Sequence, residues 1–267
     1  MNSNEAFLFP GQASQAIGMG KDLFDADALA KSMFEEADDT LGFSLSSVCF
    51  EGPMEELSKT SVTQPAVFLH SVICARLLGQ AGVAPAIAAG HSLGEYSALV
   101  ATGVLDFTVA LRLVRLRGEL MEKAGTQNPG AMSAILGMDD DDIVALCAAD
   151  EGIVVAANFN APGQIVISGE VGAVARVGDA AQRAGAKRVV NLPVSGAFHS
   201  QLMEPAAREL ADHLKETAFS APSVPVVTNA SAAAESNPDR LRELLIDQMT
   251  APVRWTDSVK AVVAAGV

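Results

Sequence analysis

The chain has 267 residues, of which 49% are hydrophobic, and a formal net charge of −14 at pH 7. That length accommodates one large domain, or a large domain with a small insert, around a sizeable core. The excess of acidic residues argues against a general affinity for nucleic acid or anionic membranes, so an acidic partner must find a local basic patch.

The cysteine content and the N-terminal residues bear on the cellular compartment of the protein. Cys49, Cys74 and Cys147 are widely spaced, odd in number and without the spacing of a metal site. Free thiols are the usual explanation of such a set, and they fit a reducing cytoplasm. The sequence has no apolar run of about 18 residues, and Met1 to Glu5 lacks a cationic start, so neither a membrane span nor a signal peptide is expected.

The first predicted element is a buried strand over residues 6–9, followed by Pro10-Gly11-Gln12. Gly11 permits a tight turn, which places the amide of Gln12 at the C-terminal edge of a sheet. Ligands bind at that edge in open α/β folds. An ordinary loop is the alternative, and it would be preferred without the serine motif described below.

Three helices are predicted next, over residues 27–41, 54–57 and 64–78. The third has Thr63 as its cap and Pro65 in its first turn. His70 lies on its apolar face, which indicates a core histidine rather than a ligand.

The central motif is Gly90-x-Ser92-x-Gly94, between a predicted strand at 85–89 and a predicted helix from Leu93 to about residue 104. This is the pattern of a nucleophile elbow, a sharp strand-to-helix turn that exposes the serine oxygen. The helix N-terminus places free amides and a positive dipole potential beside that oxygen. The alternative is an ordinary turn in which Ser92 only caps the helix.

A further helix, predicted over residues 106–123, carries Arg112, Arg115 and Arg117. Exposed arginines usually only solvate a helix face. Three of them so close together in an acidic chain favour one that faces inward.

The element pattern then changes. Strands are predicted at 131–137, 153–157, 164–168 and 187–192, and helices at 139–149 and 171–184. The order β-α-β-β-α-β is the ferredoxin-like arrangement. We therefore expect an α/β fold in which a parallel-sheet large domain, residues 1–126 and 199–267, contains an inserted small domain, residues 127–198. The loop from Pro193 to Ser200 leads back to the large domain, which continues with helices at 201–217 and 240–248, a strand at 225–229 and a last helix from residue 256.

A serine nucleophile needs a base, and histidine is the usual one. His199 is the candidate, because it lies in a glycine-containing loop at the start of a helix, where functional residues concentrate. His91 adjoins the serine but should point away from the serine oxygen. The sequence offers no obvious carboxylate to accept a hydrogen bond from the other ring nitrogen of His199, since Glu204 is one helical turn onward and Asp247 lies within a helix. This favours a backbone carbonyl in that role.

Six motifs stand along the chain: Phe9-Pro10-Gly11-Gln12, Gly90-His91-Ser92-Leu93-Gly94-Glu95, Leu116-Arg117-Gly118, Asn160-Ala161-Pro162-Gly163-Gln164, Gly196-Ala197-Phe198-His199-Ser200 and Gln248-x-x-x-Pro252-Val253-x-Trp255. Their order and spacing resemble those of the malonyl-CoA:acyl carrier protein transacylases of fatty-acid synthesis. The acyltransferase domains of polyketide synthases are the nearest relatives of that family. The resemblance covers essentially the whole chain, and the motifs together are highly specific.

The resemblance implies a hydrolase-like α/β large domain with a ferredoxin-like insert, in agreement with the order of elements above. It implies that Ser92 is the acylated nucleophile and that His199 is its base. The backbone amides of Gln12 and Leu93 would form the oxyanion hole, and the main-chain carbonyl of Gln248 would orient His199.

Three more residues are implied to bind or shape the substrate. Arg117 would pair with the free carboxylate of a malonyl group, Phe198 would shape the acyl pocket against a branched C2, and Asn160 would support the site from the small domain. The implied activity is ping-pong transfer of malonyl from malonyl-CoA to the phosphopantetheine thiol of acyl carrier protein, with no metal or organic cofactor. We expect a cytoplasmic monomer that binds neither nucleic acid nor membrane.

Other functions remain open at this point. A serine hydrolase or thioesterase would use the same elbow, although it has no need for an inward arginine and usually places a carboxylate behind its histidine. A non-catalytic module that binds the carrier protein should have lost Ser92, His199 or Arg117, and all three are present. An acyltransferase of a polyketide pathway would share these motifs.

Two further expectations concern the surface and the end of the chain. Arg183, Lys187 and Arg188 cluster near the end of the small domain, which predicts a docking patch for an acidic carrier protein. The resembled family normally continues past Val267 with a strand, a glycine-proline-glycine turn and a closing helix, so we expect either an incomplete sequence or a protein that lacks this element beside the sheet.

Overall fold

The computed structural model describes residues 4–194 and 196–267. Met1 to Ser3, part of the predicted N-terminus, and Ser195 of the predicted returning loop lie outside the described residues. The strands are β1 Ala6–Phe9, β2 Ile87–Gly90, β3 Gly130–Leu136, β4 Val154–Ala161, β5 Gln164–Glu170, β6 Arg188–Asn191, β7 Val226–Val227 and β8 Ala234–Glu235. The helices are α1 Lys21–Ala26, α2 Ala28–Leu41, α3 Leu45–Glu51, α4 Met54–Leu57, α5 Thr60–Gln80, α6 Leu93–Ala101, α7 Phe107–Gln127, α8 Asp140–Ala149, α9 Val171–Arg183, α10 Glu204–Glu216, α11 Pro238–Asp247 and α12 Trp255–Ala264, with a 3-10 turn at Gln201–Met203.

The larger part of the protein is built on a sheet of order β1-β2-β7-β8. The first three strands are parallel and β8 joins β7 in the antiparallel sense. Every residue of β2 is buried, which explains its uninterrupted run of apolar and small residues. The carboxyl ends of β1 and β2 therefore meet at one edge, where residues 10–12 and 91–93 follow them.

Helix α5 lies at the centre of the core, with 13 residues buried from Thr60 to Ile73. By length and composition it is the one helix in the described part of the chain that could cross a membrane, yet 67% of its most apolar window is buried inside the protein. The predicted start with Thr63 as cap is wrong, because the helix begins at Thr60 and Lys59 precedes it.

Pro65 lies inside α5, so the carbonyl of Ser61 lacks the N–H donor that a helix normally supplies four residues later. The guanidinium of Arg115 on α7 donates to that carbonyl at 2.7 Å. A contact between two helices thus satisfies the backbone group that the proline leaves open.

The second sheet has the order β4-β5-β3-β6, and its neighbouring strands are antiparallel. Helices α8 and α9 pack on it around a separate apolar cluster that includes Ile135, Ile143 and Val177. This strand order confirms the predicted ferredoxin-like arrangement and the α/β class. Strand β4 also contacts the larger part, since the N–H of Phe159 donates to the Val253 carbonyl at 2.9 Å. Boundaries at residues 126 and 199 stay a prediction.

Candidate active site

The turn between β2 and α6 holds Ser92 in a rare conformation. Its φ is 51° and its ψ −104°, a positive φ that non-glycine residues seldom adopt. A Cβ on Gly90 would lie 1.9 Å from the carbonyl carbon of Gly94, and a Cβ on Gly94 would lie 2.3 Å from the carbonyl oxygen of Phe9. Any side chain at either position would clash with the backbone, so both positions require glycine. The Ser92 side chain makes no capping bond to α6, so the helix-cap alternative is wrong.

The side chain of Ser92 meets His199, whose Nε2 lies 2.8 Å from the serine Oγ. The other ring nitrogen, Nδ1, faces two main-chain carbonyl oxygens, that of Gln248 at 2.9 Å and that of Ala251 at 3.2 Å. Carbonyl oxygens only accept, so Nδ1 carries the hydrogen and Nε2 offers its lone pair to the serine O–H. The arrangement is a serine–histidine pair oriented by the backbone.

The electrostatic surroundings keep this histidine neutral. Burial first, and then the nearby Arg117 cation, lower the pKa of His199 from 6.5 to about 3, against the opposing effect of the Gln248 carbonyl. A general base must be unprotonated to accept a proton. His199 is unprotonated at neutral pH.

Two of the other histidines, His91 and His70, make different contacts. His91 places its Nε2 2.8 Å from Oδ1 of Asn160 and its ring against Trp255. His70 is half-buried beside Cys74, and burial lowers the pKa of His70. Glu204 forms a surface pair with Arg208.

Arg117 is 1% exposed and reaches the serine from α7. Its Nη2 donates to Ser92 Oγ at 2.9 Å and to the side-chain oxygen of Gln248 at 3.1 Å. Its Nη1 donates to the side-chain oxygen of Gln64 at 2.8 Å. These hydrogen-bond partners are all neutral, and Arg117 forms no ion pair with any described residue. A substrate carboxylate that entered here could therefore pair with its guanidinium.

Arg117 does not pair with either of the nearby glutamates on its own helix. Glu119 pairs with Arg115 at 2.6 Å. Glu122 accepts a hydrogen bond from the backbone N–H of Ser61. The inward-facing arginine that the sequence predicts on this helix is Arg117.

A cavity of about 280 Å³ opens between the two sheets at the serine. Small-molecule sites commonly occupy about 300–1,000 Å³, so this volume favours a short acyl group over a long chain. Among the residues that line it are Gln12, Ser92, Leu93, Arg117, Asn160, Phe198 and His199. The structure therefore brings together every residue predicted for the site, with Gln248 directly behind His199.

The relationship to known proteins agrees with this geometry. The sequence model of the acyl transferase domain family matches residues 6–267. The chain belongs to the acyl transferase domain family. It is 48% identical over 265 residues to a protein named Malonyl CoA-acyl carrier protein transacylase from Escherichia coli strain K12, a match that spans 98% of this chain and 86% of that protein.

Two solved acyl transferases share the fold. One is an acyl carrier protein S-malonyltransferase from Vibrio cholerae, with a TM-score of 0.95 and 48% identity over 99% of this chain and 88% of that one. The other is a malonyl-transacylase solved in complex with its type II PKS acyl-carrier protein, with a TM-score of 0.95 and 47% identity over 98% of this chain and 86% of that one.

The proposed oxyanion donors of this acyl transferase are placed at the cavity wall. Leu93 is the first residue of α6, so its N–H has no partner within the helix. Gln12 follows β1, and its side chain contacts Thr60 at 3.4 Å. No described residue accepts a hydrogen bond from the backbone N–H of Gln12 or of Leu93.

Three residues of the site were missed by the sequence analysis. Gln64 fixes the Arg117 guanidinium, Asn229 accepts from the Ser92 N–H at 2.6 Å, and Glu95 is buried beneath the elbow. The signal for Glu95 was its place in the elbow motif three residues after the serine. Asn229 stood at the end of a predicted strand, where a polar side chain reaches the ligand edge of a sheet. In the described part of the chain, no group of three His, Cys, Asp or Glu side chains could hold a metal ion.

Proposed function

We propose that this acyl transferase moves the malonyl group from malonyl-CoA to the phosphopantetheine thiol of acyl carrier protein, and so supplies fatty-acid chain elongation. The observation that carries the proposal is one cluster in which Ser92 Oγ meets both His199 Nε2 and the buried Arg117 guanidinium. The names of the E. coli and V. cholerae relatives support it.

In the first half of the cycle, His199 takes the Ser92 proton as the serine oxygen attacks the thioester carbonyl. The amides of Gln12 and Leu93 hold the oxyanion that forms. The intermediate then collapses, the bond to sulfur breaks, and CoA leaves as a thiol with the proton from His199. Malonyl remains as an ester on Ser92.

In the second half, the carrier thiol attacks the malonyl-serine ester and gives its proton to His199. The same two amides stabilise the second oxyanion, and His199 returns the proton to Ser92 as the acyl group leaves. The cycle uses no metal or organic cofactor. Ping-pong kinetics are the expected signature of such an acyl-enzyme.

Arg117 and Phe198 account for the choice of acyl group. The planar guanidinium suits the malonyl carboxylate, because it binds both carboxylate oxygens and stays charged when desolvated. Phe198 is buried in the cavity wall, where its ring limits the space beside C2. Asn160 supports this wall through its contact with His91.

One alternative is weaker, and a second shares the same chemistry. A hydrolase or thioesterase does not need a buried arginine beside its serine, and the orienting group behind His199 here is a carbonyl rather than a carboxylate. A polyketide pathway uses the same chemistry, and a type II PKS carrier is the partner in one related complex. We propose a cytoplasmic location, which the free thiols of Cys49, Cys74 and Cys147 support, and a monomeric protein.

The first expected result concerns Ser92. Malonyl-CoA should add one malonyl mass to the intact protein, located on the peptide that contains Ser92, and Ser92→Ala should abolish it. Holo acyl carrier protein should then remove the mass and appear as the malonyl thioester. A label on another peptide, or an undiminished label in the variant, would contradict the assignment.

The second expected result concerns the carrier. Arg183, Lys187 and Arg188 are exposed, and none of them forms an ion pair with any described residue. Charge reversal at all three should raise the carrier KM and flatten its salt dependence, because surface charges mainly set association rates. Kinetics with malonyl-CoA should not change.

A matched control for the docking patch reverses three other exposed cations, Arg208, Lys215 and Lys260, whose surface pairs contribute little stability. Equal effects of both triple variants would mean that net charge alone is sensed. Unchanged carrier kinetics in the variant at Arg183, Lys187 and Arg188 would contradict this docking patch. The carrier would then dock elsewhere, near Arg76 or Arg254.

A further inference from the structure

Glu95 is a buried acid that the proposed cycle does not use. It lies in the first turn of α6 and is 1% exposed. A carboxylate at a helix N-terminus is stabilised at the surface as well, whereas burying it costs free energy unless hydrogen bonds compensate. Helix stability therefore does not explain why this side chain points inward.

One set of its contacts leads to the elbow. Oε2 of Glu95 accepts a hydrogen bond from the backbone N–H of Asn229 at 2.9 Å. The Asn229 side chain then spans the turn, because it accepts from the Ser92 N–H at 2.6 Å and donates to the Gly90 carbonyl at 2.6 Å. Glu95 thus anchors the residue that bridges both ends of the strained turn.

The second contact leads to Arg117. The side-chain nitrogen of Gln248 donates to Glu95 Oε2 at 3.0 Å and to the Ser92 carbonyl at 2.9 Å. Its side-chain oxygen is thereby left to accept from Arg117 Nη2 at 3.1 Å. If the Gln248 amide turned over, its NH₂ group would face a guanidinium that has donors only. The acceptor on Glu95 sets which end of Gln248 meets Arg117.

We propose that Glu95 is a positioning residue for malonyl transfer. Through the Gln248 amide it holds the Arg117 guanidinium where the substrate carboxylate enters, and this link sets the choice of acyl group. Its link through Asn229 to the Ser92 turn acts equally on every acyl group, so it does not change the malonyl-to-acetyl ratio. The inference rests on the proposed function, in which Ser92 is acylated and Arg117 binds the malonyl carboxylate.

The positioning contacts survive a change of protonation. Burial raises the pKa of Glu95 to about 7, against the Gln248 and Asn229 hydrogen bonds and the charge of Arg117. The titratable and charged groups that act on it are Arg117 from α7 and Tyr96 from its own helix. Oε1 has no partner among the described residues, so it takes the proton while Oε2 continues to accept. An amide with its oxygen at the Oε2 position should therefore replace the carboxyl.

The experiment compares Glu95→Gln, which keeps an acceptor, with Glu95→Leu, which removes it at similar size. Ser97→Ala is the control, since Ser97 is buried in the same helix and its Oγ has no partner among the described residues. The readout is kcat/KM for malonyl-CoA divided by that for acetyl-CoA.

Glu95→Leu should lower the malonyl-to-acetyl ratio by roughly tenfold or more, the usual cost of losing a hydrogen bond that serves a charged group. Glu95→Gln should rescue the ratio to within about threefold of wild type, and Ser97→Ala should leave it unchanged. A merely structural role would instead lower the two rates in parallel, because only the fraction of folded enzyme would fall.

Gln248→Met keeps the test decisive if Glu95→Leu does not fold. It retains the backbone carbonyl that orients His199 and removes the side-chain links of Gln248 to Arg117, Glu95 and the Ser92 carbonyl. Its malonyl-to-acetyl ratio should fall as in Glu95→Leu. The ratio of the double variant, Glu95→Leu with Gln248→Met, should fall no further, because the two side chains act in series.

Parallel losses on both substrates, a wild-type ratio in Gln248→Met, or a Glu95→Gln ratio as low as that of Glu95→Leu would overturn the positioning role while the proposed function stands. Failure of the wild-type protein to take a malonyl group on Ser92 would overturn both.

Discussion

Replacing His199 by alanine is expected to slow acylation of Ser92 by roughly a thousandfold to a millionfold, as loss of the base does in other serine enzymes. Nε2 of His199 lies 2.8 Å from Ser92 Oγ. No other histidine among the described residues contacts that oxygen. Rapid-quench acylation followed by intact mass measures the effect. Residual activity should come from the amides of Gln12 and Leu93 and from substrate binding.

The matched controls test whether a hidden carboxylate assists this base. Glu204→Gln and Asp247→Asn should each change acylation by less than about threefold, because both carboxylates are exposed and neither contacts His199. A loss of roughly a thousandfold in either would restore a full triad. The carbonyl of Gln248 would then not be the main orienting group.

The pH profile provides a second check on His199. A histidine whose pKa lies far below 6.5 stays unprotonated as the solution is acidified. The acid limb of kcat/KM for malonyl-CoA in the free enzyme should therefore fall below pH 6.5 rather than at it. An acid limb centred at or above pH 6.5 would contradict this prediction. It would mean that burial does not lower the pKa of His199 in solution.

The parts of this protein that local sequence patterns encode could be predicted. The elbow is one, because a short apolar run, two glycines required by space and a helical stretch follow each other directly. The ferredoxin-like unit is another, since its strands and helices alternate with ordinary lengths. Helix α9, predicted over residues 171–184, is found at Val171–Arg183.

Features that depend on distant contacts could not be predicted. The early start of α5 depends on burial of its first turn and on Arg115, which donates to the Ser61 carbonyl across 54 positions of the chain. The bond from Asn229 to Glu95 spans 134 positions, and that from Gln248 to Glu95 spans 153. Neither follows from periodicity. The two-residue strand β8 is too short to leave a pattern.

Replacing Arg117 by alanine is the change that separates a malonyl-selective transferase from a general one. A malonyl group differs from an acetyl group by one carboxylate, so selection needs a group that stabilises that charge. A desolvated charge pair that loses one partner costs about 2–5 kcal/mol. At about 1.4 kcal/mol per tenfold, Arg117→Ala should lose roughly 30-fold to several thousandfold in kcat/KM for malonyl-CoA.

Acetyl transfer should escape this loss, because an acetyl group carries no carboxylate for Arg117 to bind. Arg117 is one of the causes that lower the pKa of His199, second after burial, so its removal makes the histidine a stronger base. That change acts on both substrates alike, so the variant should gain activity on acetyl-CoA relative to malonyl-CoA only because malonyl loses its charge partner. Arg117→Lys should also be damaging, because an ammonium offers a point charge in place of the planar fork that reaches Gln64, Ser92 and Gln248 together.

Arg112→Ala is the matched control for this prediction, since Arg112 is exposed on the same helix and does not line the cavity. Circular dichroism of each variant separates loss of fold from loss of selectivity. If malonyl and acetyl transfer fell in parallel in Arg117→Ala, or if that variant unfolded while Arg112→Ala did not, Arg117 would be a structural residue. Selection of malonyl would then need another cation, and the cavity at Ser92 is lined by no other arginine or lysine among the described residues.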